Sequence, residues 1–184
     1  MSVPEKRLSK FLALLLRHRA EKFGLAVEAG TGYADLDEVE SICTRMFKGR
    51  VSRGDILALV AHSPDGKQRF EVVDRRIRAL YGHSQVVVDY PTVDPPEFLY
   101  HGTAPGRAEL ILQSGLQGMG RTYVHLAHNV PYALQVGGRH SRTPVVLRVR
   151  AADAAANGVS FFCPDKTHYL ARSVPPEWLE PLPS

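Results

Sequence analysis

The stretch Asp89-Tyr-Pro-Thr-Val-Asp-Pro-Pro-Glu97 constrains this 184-residue chain more than any other. It packs three prolines and three acidic residues into nine positions. Proline donates no backbone hydrogen bond and fixes φ, so such a run belongs in neither a helix interior nor a central strand. The chain is therefore expected to fold as two smaller bodies, residues 1–88 and 98–184, with 89–97 as a linker. Each half is long enough for a modest core, and an apolar content of 44% supports packed cores rather than disorder.

The first half reads as three helices followed by a hairpin. Leu8, Phe11, Leu12, Leu15 and Leu16 recur at helical spacing and predict a helix from Glu5 to Arg19. A second helix starts at Asp35, with Glu38 three residues on in an Asp-type capping box. Leu36, Val39, Ile42, Cys43 and Met46 form its buried face. A third starts at Ser52, with Asp55 in the matching place and Ile56, Leu57 and Val60 following. Arg69–Val73 and Arg76–Leu80 then read as two strands around a short turn. Three helices and a hairpin make a winged helix.

The second half alternates short elements. Strands are expected at Phe98 to His101, Tyr123 to Leu126, Pro144 to Val149 and Val159 to Cys163, and helices at Gly106 to Ser114 and Pro131 to Val136. Short strands and many glycines suit a split α+β sheet better than a doubly wound parallel one. The fold class read here is α/β of the α+β kind.

Charge is distributed unevenly. Residues 1–88 hold 15 Lys and Arg against 11 Asp and Glu, whereas residues 89–184 hold 8 of each. All of the net +4 lies in the first half, which makes it the candidate for a polyanionic partner. Cys43 and Cys163 are far apart, match no zinc spacing and read as two buried thiols in a reducing cytoplasm. No apolar run approaches the roughly 20 residues of a membrane span, and the N-terminus lacks a secretory signal, so a cytoplasmic protein is expected. No metal is expected, because carboxylates, histidines and cysteines do not cluster at ligand spacing. Nothing points to an obligate protein partner.

Four constellations carry candidate chemistry. Leu16-Arg17-His18-Arg19 ends the first helix, where cations gain about 0.3–1 kcal/mol from the helix dipole and where Arg17 and His18 can also reach a phosphate. In Asp65-Gly-Lys-Gln-Arg-Phe70, the strand fixes the direction of Arg69. In the third, Arg76 and Arg78 share a strand face, and Gly82-His83-Ser84 offers backbone N–H groups and a hydroxyl; these are candidate phosphate contacts. The fourth joins His101-Gly102-Thr103 to His125, which lies beyond a glycine-punctuated loop carrying Arg121. Two histidines on neighbouring strands, with an arginine between them in sequence, suit a polar, phosphate-bearing ligand. There is no catalytic triad and no P-loop. The Gly115 to Gly120 run lacks the Rossmann order of glycines and follows a helix, so NAD binding here would need another scaffold.

Taken in order, Ser9-Lys10, Leu15-Leu16-Arg17-His18, Lys67-Gln68-Arg69-Phe70, Gly82-His83-Ser84, His101-Gly102-Thr103 and Met119-Gly120-Arg121-Thr122-Tyr123-Val124-His125-Leu126 resemble the Tpt1/KptA RNA 2′-phosphotransferases. The resemblance runs from about Leu8 to Trp178. It implies an N-terminal winged-helix RNA-binding lobe and a C-terminal ADP-ribosyltransferase-like NAD-binding lobe. The family's catalytic Arg-His-Arg-Arg set falls on Arg17, His18, Arg69 and Arg121. The resemblance further implies that His101, Gly102, Thr103 and His125 serve the NAD ribose, with Arg139 at NAD or RNA phosphates. Ala127 stands where Ser is common in the family, and Ala20 where a proline often follows.

The implied reaction takes an internal RNA 2′-phosphate, as at tRNA splice junctions, and moves it to NAD⁺. A phosphate oxygen attacks C1″ of the nicotinamide ribose and nicotinamide leaves. The ribose O2″ then attacks phosphorus, giving 2′-OH RNA and ADP-ribose 1″,2″-cyclic phosphate. Two rival readings are an ADP-ribosyltransferase that caps phosphorylated RNA or DNA ends, stopping after the first step, and a non-enzymatic winged-helix DNA-binding regulator.

Overall fold

A computed structural model describes residues 3–62, 68–165 and 167–182. The chain is a mixed α/β protein that separates into two compact units, Met1–Asp89 and Tyr90–Ser184.

In the first unit, helix α1 (Glu5–His18) is followed by a 3₁₀ turn, Glu21–Phe23, and then by strand β1 (Tyr33–Asp35), α2 (Leu36–Met46), α3 (Arg53–Ala61), β2 (Phe70–Val73) and β3 (Arg76–Ala79). The leucine stripe of α1 buries Leu8, Leu12, Leu15 and Leu16. Phe11 meets Phe23 and Phe47 edge-on, with ring centroids 5.5 and 5.3 Å apart. Both later helices begin at the expected caps. The Asp35 carboxylate accepts from the N–H groups of Asp37 and Glu38, and Ser52 with Asp55 forms a full capping box.

Met46 departs from the expected buried face of α2 and is 47% exposed. It is the last residue of the helix, and Phe47 at the C-cap fills the core in its place. In α3, Ile56 and Leu59 bury while Leu57 turns outward. The hairpin gains a third strand, because β1 pairs with β3 to give the antiparallel order β1-β3-β2. A three-residue strand holding Ala and Asp has little β-propensity of its own and exists only through that pairing. The turn at Asp65-Gly-Lys67 lies outside the described residues.

The second unit runs β4 (Thr92–Val93), β5 (Phe98–Thr103), α4 (Pro105–Ser114), β6 (Leu116–Gln117), β7 (Val124–Ala127), α5 (Val130–Gly137), β8 (Val145–Arg150), α6 (Ala151–Ala156), β9 (Phe161–Phe162), β10 (His168–Ala171), β11 (Ser173–Val174), a 3₁₀ turn and β12 (Leu179–Pro181). Seven strands form one antiparallel sheet in the order β12-β8-β5-β7-β10-β9-β4, and β6 pairs with β11 apart from it. Thr92–Val93, inside the proline-rich segment, is the edge strand of the larger sheet. Proline flanks suit an edge. One face buries Leu99, Leu126, Val149, Phe161 and Ala171. The other buries Ala127 and Val146 beneath Ala133 of α5.

Two features of this sheet place the candidate residues. Strands β5 and β7 pair only at Tyr100 and Ala127 and then part, so the sheet opens beside His101. Helix α5 also lies unusually close to β5. A Cβ on Gly102 would fall 1.8 Å from the carbonyl oxygen of Ala133 and 3.0 Å from the N of Gly137, a space that only glycine leaves open.

Candidate functional site

In the first unit the segment 82–85 folds back over the C-terminal end of α1. The Ser84 N–H donates to the Arg17 carbonyl at 2.9 Å, and the Ala20 N–H donates to Gln85 Oε1 at 2.8 Å. These bonds engage backbone groups that a helix end leaves without an intrahelical partner. The Ser84 hydroxyl lies 2.9 Å from His18 Nδ1 and 3.4 Å from the Arg17 carbonyl. A hydroxyl has one proton: donating it to the carbonyl, Ser84 accepts from His18 Nδ1–H and so orients the ring.

The Arg17 guanidinium lies over two aromatic rings, 4.8 Å from the centroid of Tyr81 and 5.9 Å from that of Phe70. Such contacts contribute about 0.5–2 kcal/mol each and fix the plane of the fork. Gly82 adopts φ +87°, and a Cβ there would press to 3.4 Å from Arg17 Cδ. Arg69 immediately precedes Phe70, and its carbonyl accepts from Leu80 N–H. Phe70 itself faces the core. The fold thus brings Arg17, His18 and the strand bearing Arg69 into one neighbourhood.

The expected RNA contacts fare differently. Arg76 and Arg78 do share a face, and both guanidinium groups lie over Tyr33, at 4.7 and 4.6 Å. Arg78 is already paired with Glu71 at 2.7 Å and donates to the Thr31 carbonyl, whereas Arg76 is exposed, with Glu28 at 3.8 Å. His83 is folded inward. It is only 6% exposed, and neither ring nitrogen has a hydrogen-bond partner among the described residues. Burial, reinforced by the positive charges of Arg17, His18 and Arg78, pushes its pKa down to about 4. The neutral ring keeps one N–H donor but carries no charge to offer a phosphate. The loop that reads as open in sequence is folded inward.

In the second unit Arg121 is exposed at the end of a tight turn, where a Cβ on Gly118 would lie 2.2 Å from the Arg121 carbonyl oxygen. Two residues on, Tyr123 is buried edge-on between Tyr90 and Phe162 and anchors the turn to the sheet.

His101 sits where β5 and β7 part, and its Nδ1–H donates to the His125 carbonyl at 3.1 Å. The carbonyl only accepts, so Nδ1 carries the proton. Burial lowers the His101 pKa; the bond to His125 opposes this and His140 adds to it, so the ring is neutral at pH 7 with an acceptor lone pair on Nε2. The two histidines meet through the backbone of His125. Strand alternation places the His125 side chain with Ala127, on the face covered by α5, and His101 with Leu99 on the other. Thr103 is buried at the end of β5, Gly102 is the contact point with α5, and Arg139 is exposed just beyond that helix.

One polar group escaped the sequence reading. Asp165, His168 and Tyr132 form a hydrogen-bonded chain, with Tyr132 Oη 2.5 Å from His168 Nε2 and His168 Nδ1 against Asp165 Oδ2. No local spacing signals it, because Tyr132 and His168 are 36 positions apart. Of the two thiols expected to be buried, Cys43 is and Cys163 is half-exposed. Among the described residues no three His, Cys, Asp or Glu side chains gather as a metal site, and no helix is long and apolar enough to cross a membrane.

At the end of α1 the stacked Arg17 guanidinium has the hydrogen-bonded imidazole of His18 beside it, an arrangement suited to gripping a phosphate ester. The family model described as RNA 2′-phosphotransferase, Tpt1 / KptA family, matches residues 3–173, and the chain belongs to that family. It is similar to the probable RNA 2′-phosphotransferase of Rhizobium leguminosarum bv. trifolii, 40% identical over 96% of this chain and 94% of that one. The proteins of the same name from Lacticaseibacillus paracasei and Acetivibrio thermocellus are 37% and 38% identical. Those matches cover 97% and 94% of this chain, and 94% of each relative.

Proposed function

We propose that the protein is an NAD⁺-dependent transferase that removes an internal 2′-phosphate from RNA, as at tRNA splice junctions. Its products are 2′-OH RNA, ADP-ribose 1″,2″-cyclic phosphate and nicotinamide. On this reading the first unit is a winged-helix RNA-binding lobe and the second an ADP-ribosyltransferase-like lobe that takes NAD⁺. The observation that carries it is the family match along residues 3–173, together with the holding of Arg17 and His18 by Tyr81, Phe70 and Ser84.

The chemistry fits these side chains. A phosphate nucleophile is already anionic, so the first step needs alignment and charge neutralisation rather than a strong base. Arg17 and Arg69 offer planar forks for phosphate oxygens, and Arg121 adds a third guanidinium as charge builds at phosphorus. His18, oriented by Ser84, donates to a phosphate oxygen or moves a proton. The neutral His101 offers Nε2 to a ribose hydroxyl; on this reading Gly102, Thr103 and His125 also serve the ribose side, and Arg139 serves the diphosphate. Arg76 and Arg78 serve RNA phosphates, Arg76 with the freer fork.

The test is incubation of the protein with a 2′-phosphorylated oligoribonucleotide and NAD⁺, followed by mass analysis of both products. Dephosphorylated RNA with cyclic phosphate is expected. ADP-ribose left on the RNA would instead make the protein a capping enzyme, and intact NAD⁺ would overturn the reading.

A further inference from the structure

The buried chain Asp165–His168–Tyr132 has no part in the chemistry above, yet it is made of groups that are costly to bury. His168 is 6% exposed and the Asp165 side chain is 2% exposed. Burial alone raises a carboxyl pKa. Hydrogen bonds from His168 and Thr167 outweigh that here and hold Asp165 below the usual carboxylate range, so it is an ionised acceptor. Its Oδ1 accepts from the N–H of His168 at 2.7 Å and of Thr167 at 3.0 Å, while Oδ2 takes His168 Nδ1–H. In the neutral ring with the proton on Nδ1, His168 Nε2 accepts the Tyr132 O–H.

A second tether runs beside the first. Asn129 caps α5 by accepting from Tyr132 N–H at 2.8 Å, and its amide donates to His128 Nε2 at 2.8 Å. His128 Nδ1–H in turn donates to the Thr167 carbonyl at 3.2 Å. Both tethers join the start of α5 to Asp165, Thr167 and His168.

The need for a peg lies in how α5 rests on the sheet. The helix touches β5 through backbone, with the Ala133 carbonyl and the Gly137 N–H against Gly102. Around that contact the packing is apolar, with Ala133 over Ala127 and Val146. A satisfied polar network is directional where apolar packing is not, and it fixes position even when it adds little net stability. Tyr132 is the residue before Ala133, so the relay holds the helix at the contact itself.

We infer that Tyr132, His168 and Asp165 are positioning residues for nucleotide binding, seating α5 on Gly102 and so setting the end of β5 that carries His101 and Thr103. This rests on the reading of the protein as an NAD⁺-consuming enzyme. Replacing Tyr132→Phe removes only the hydroxyl and keeps the ring that stacks on His128 and meets His168 edge-on.

The experiment combines calorimetric titration of the full-length protein with NAD⁺ and steady-state kinetics on 2′-phosphorylated RNA. For Tyr132→Phe, the NAD⁺ Kd and KM are expected to rise about tenfold, the low end for losing an orienting partner, with kcat and the RNA KM within about twofold. His168→Gln, which can both accept from Tyr132 and donate to Asp165, should restore most of the affinity that His168→Leu loses. Unchanged NAD⁺ affinity in Tyr132→Phe would overturn the inference. So would losses spread equally over kcat and both KM values in step with a lower melting temperature, which would mark a merely structural role. Wild-type protein that binds no NAD⁺ would overturn the functional reading beneath it, an outcome visible before any variant is made.

Discussion

Ser84 and His18 are 66 positions apart, yet the Ser84 hydroxyl lies 2.9 Å from His18 Nδ1 while its backbone N–H binds the Arg17 carbonyl. One serine thus closes the end of α1 and orients a histidine proposed to act on phosphate. Ser84→Ala should reduce kcat about tenfold, less than the roughly 10²-fold that a 1 Å misplacement of a catalytic group can cost. The lost bond is exposed, so the stability cost should stay near 1 kcal/mol or below. Rapid-quench kinetics beside a urea melt separates the two effects; a rate loss no larger than the loss of folded protein would remove His18 orientation from the account.

Arg69→Lys and Arg121→Lys keep the charge and lose the planar fork. Each should slow turnover on the order of 10²–10³-fold, the cost of losing one close donor to a developing anion. Arg19→Ala and Arg75→Ala are the controls and should change the rate little. Arg75 is paired with Asp37, but its side chain is 74% exposed, and exposed pairs contribute about 1 kcal/mol at most. Single-turnover assays that quantify ADP-ribosylated RNA will show which step each arginine serves. An Arg121→Lys or Arg121→Ala enzyme that completes both steps at wild-type rate would rule out the assignment.

Stability should fall in mild acid because of His83. Its pKa is about 4 in the folded protein against 6.5 as an ordinary value, so below pH 6.5 the unfolded chain takes up a proton that the folded chain refuses. Stability therefore rises with pH between about 4 and 6.5, by about 3 kcal/mol over the window. Urea melts from pH 7 to 4.5 should show this slope, and His83→Leu should flatten it. An identical slope in the variant would place the effect elsewhere, with His101 the next candidate.

Gly102→Ala should cost about 3 kcal/mol, the upper range for overpacking, because the new methyl meets a backbone carbonyl that cannot rotate away. Differential scanning calorimetry should show a lower melting temperature. A variant as stable as wild type would mean that α5 can lift off β5 freely.

Cys43 should resist thiol reagents in the native protein. Burial, with help from the charge of Glu40, pushes its pKa up to about 12, leaving almost no thiolate. Alkylation followed by peptide mapping should find Cys163 modified first and Cys43 only after unfolding.

Local patterns in the sequence were enough to place all three helices of the first unit and two of the three in the second. The leucine stripe of α1 and the caps at Asp35 and Ser52 act within a few residues, which is why they can be read without the fold. The order of these short motifs was likewise enough to name the family that the match over residues 3–173 then showed. What spacing could not reveal depended on partners far along the chain. Strand β1 exists because β3 lies beside it, and α6, β10 and β12 carry no periodicity long enough to announce them. His83 reads as a loop residue in sequence, and only the folding of that loop over α1 buries it. His101 and His125 could be read as neighbours, but strand parity decided that they meet through a carbonyl rather than as a pair of facing rings. Tyr132 and His168 are ordinary residues in sequence and a relay only in space, because a hydrogen bond depends on distance and direction, which linear order does not encode.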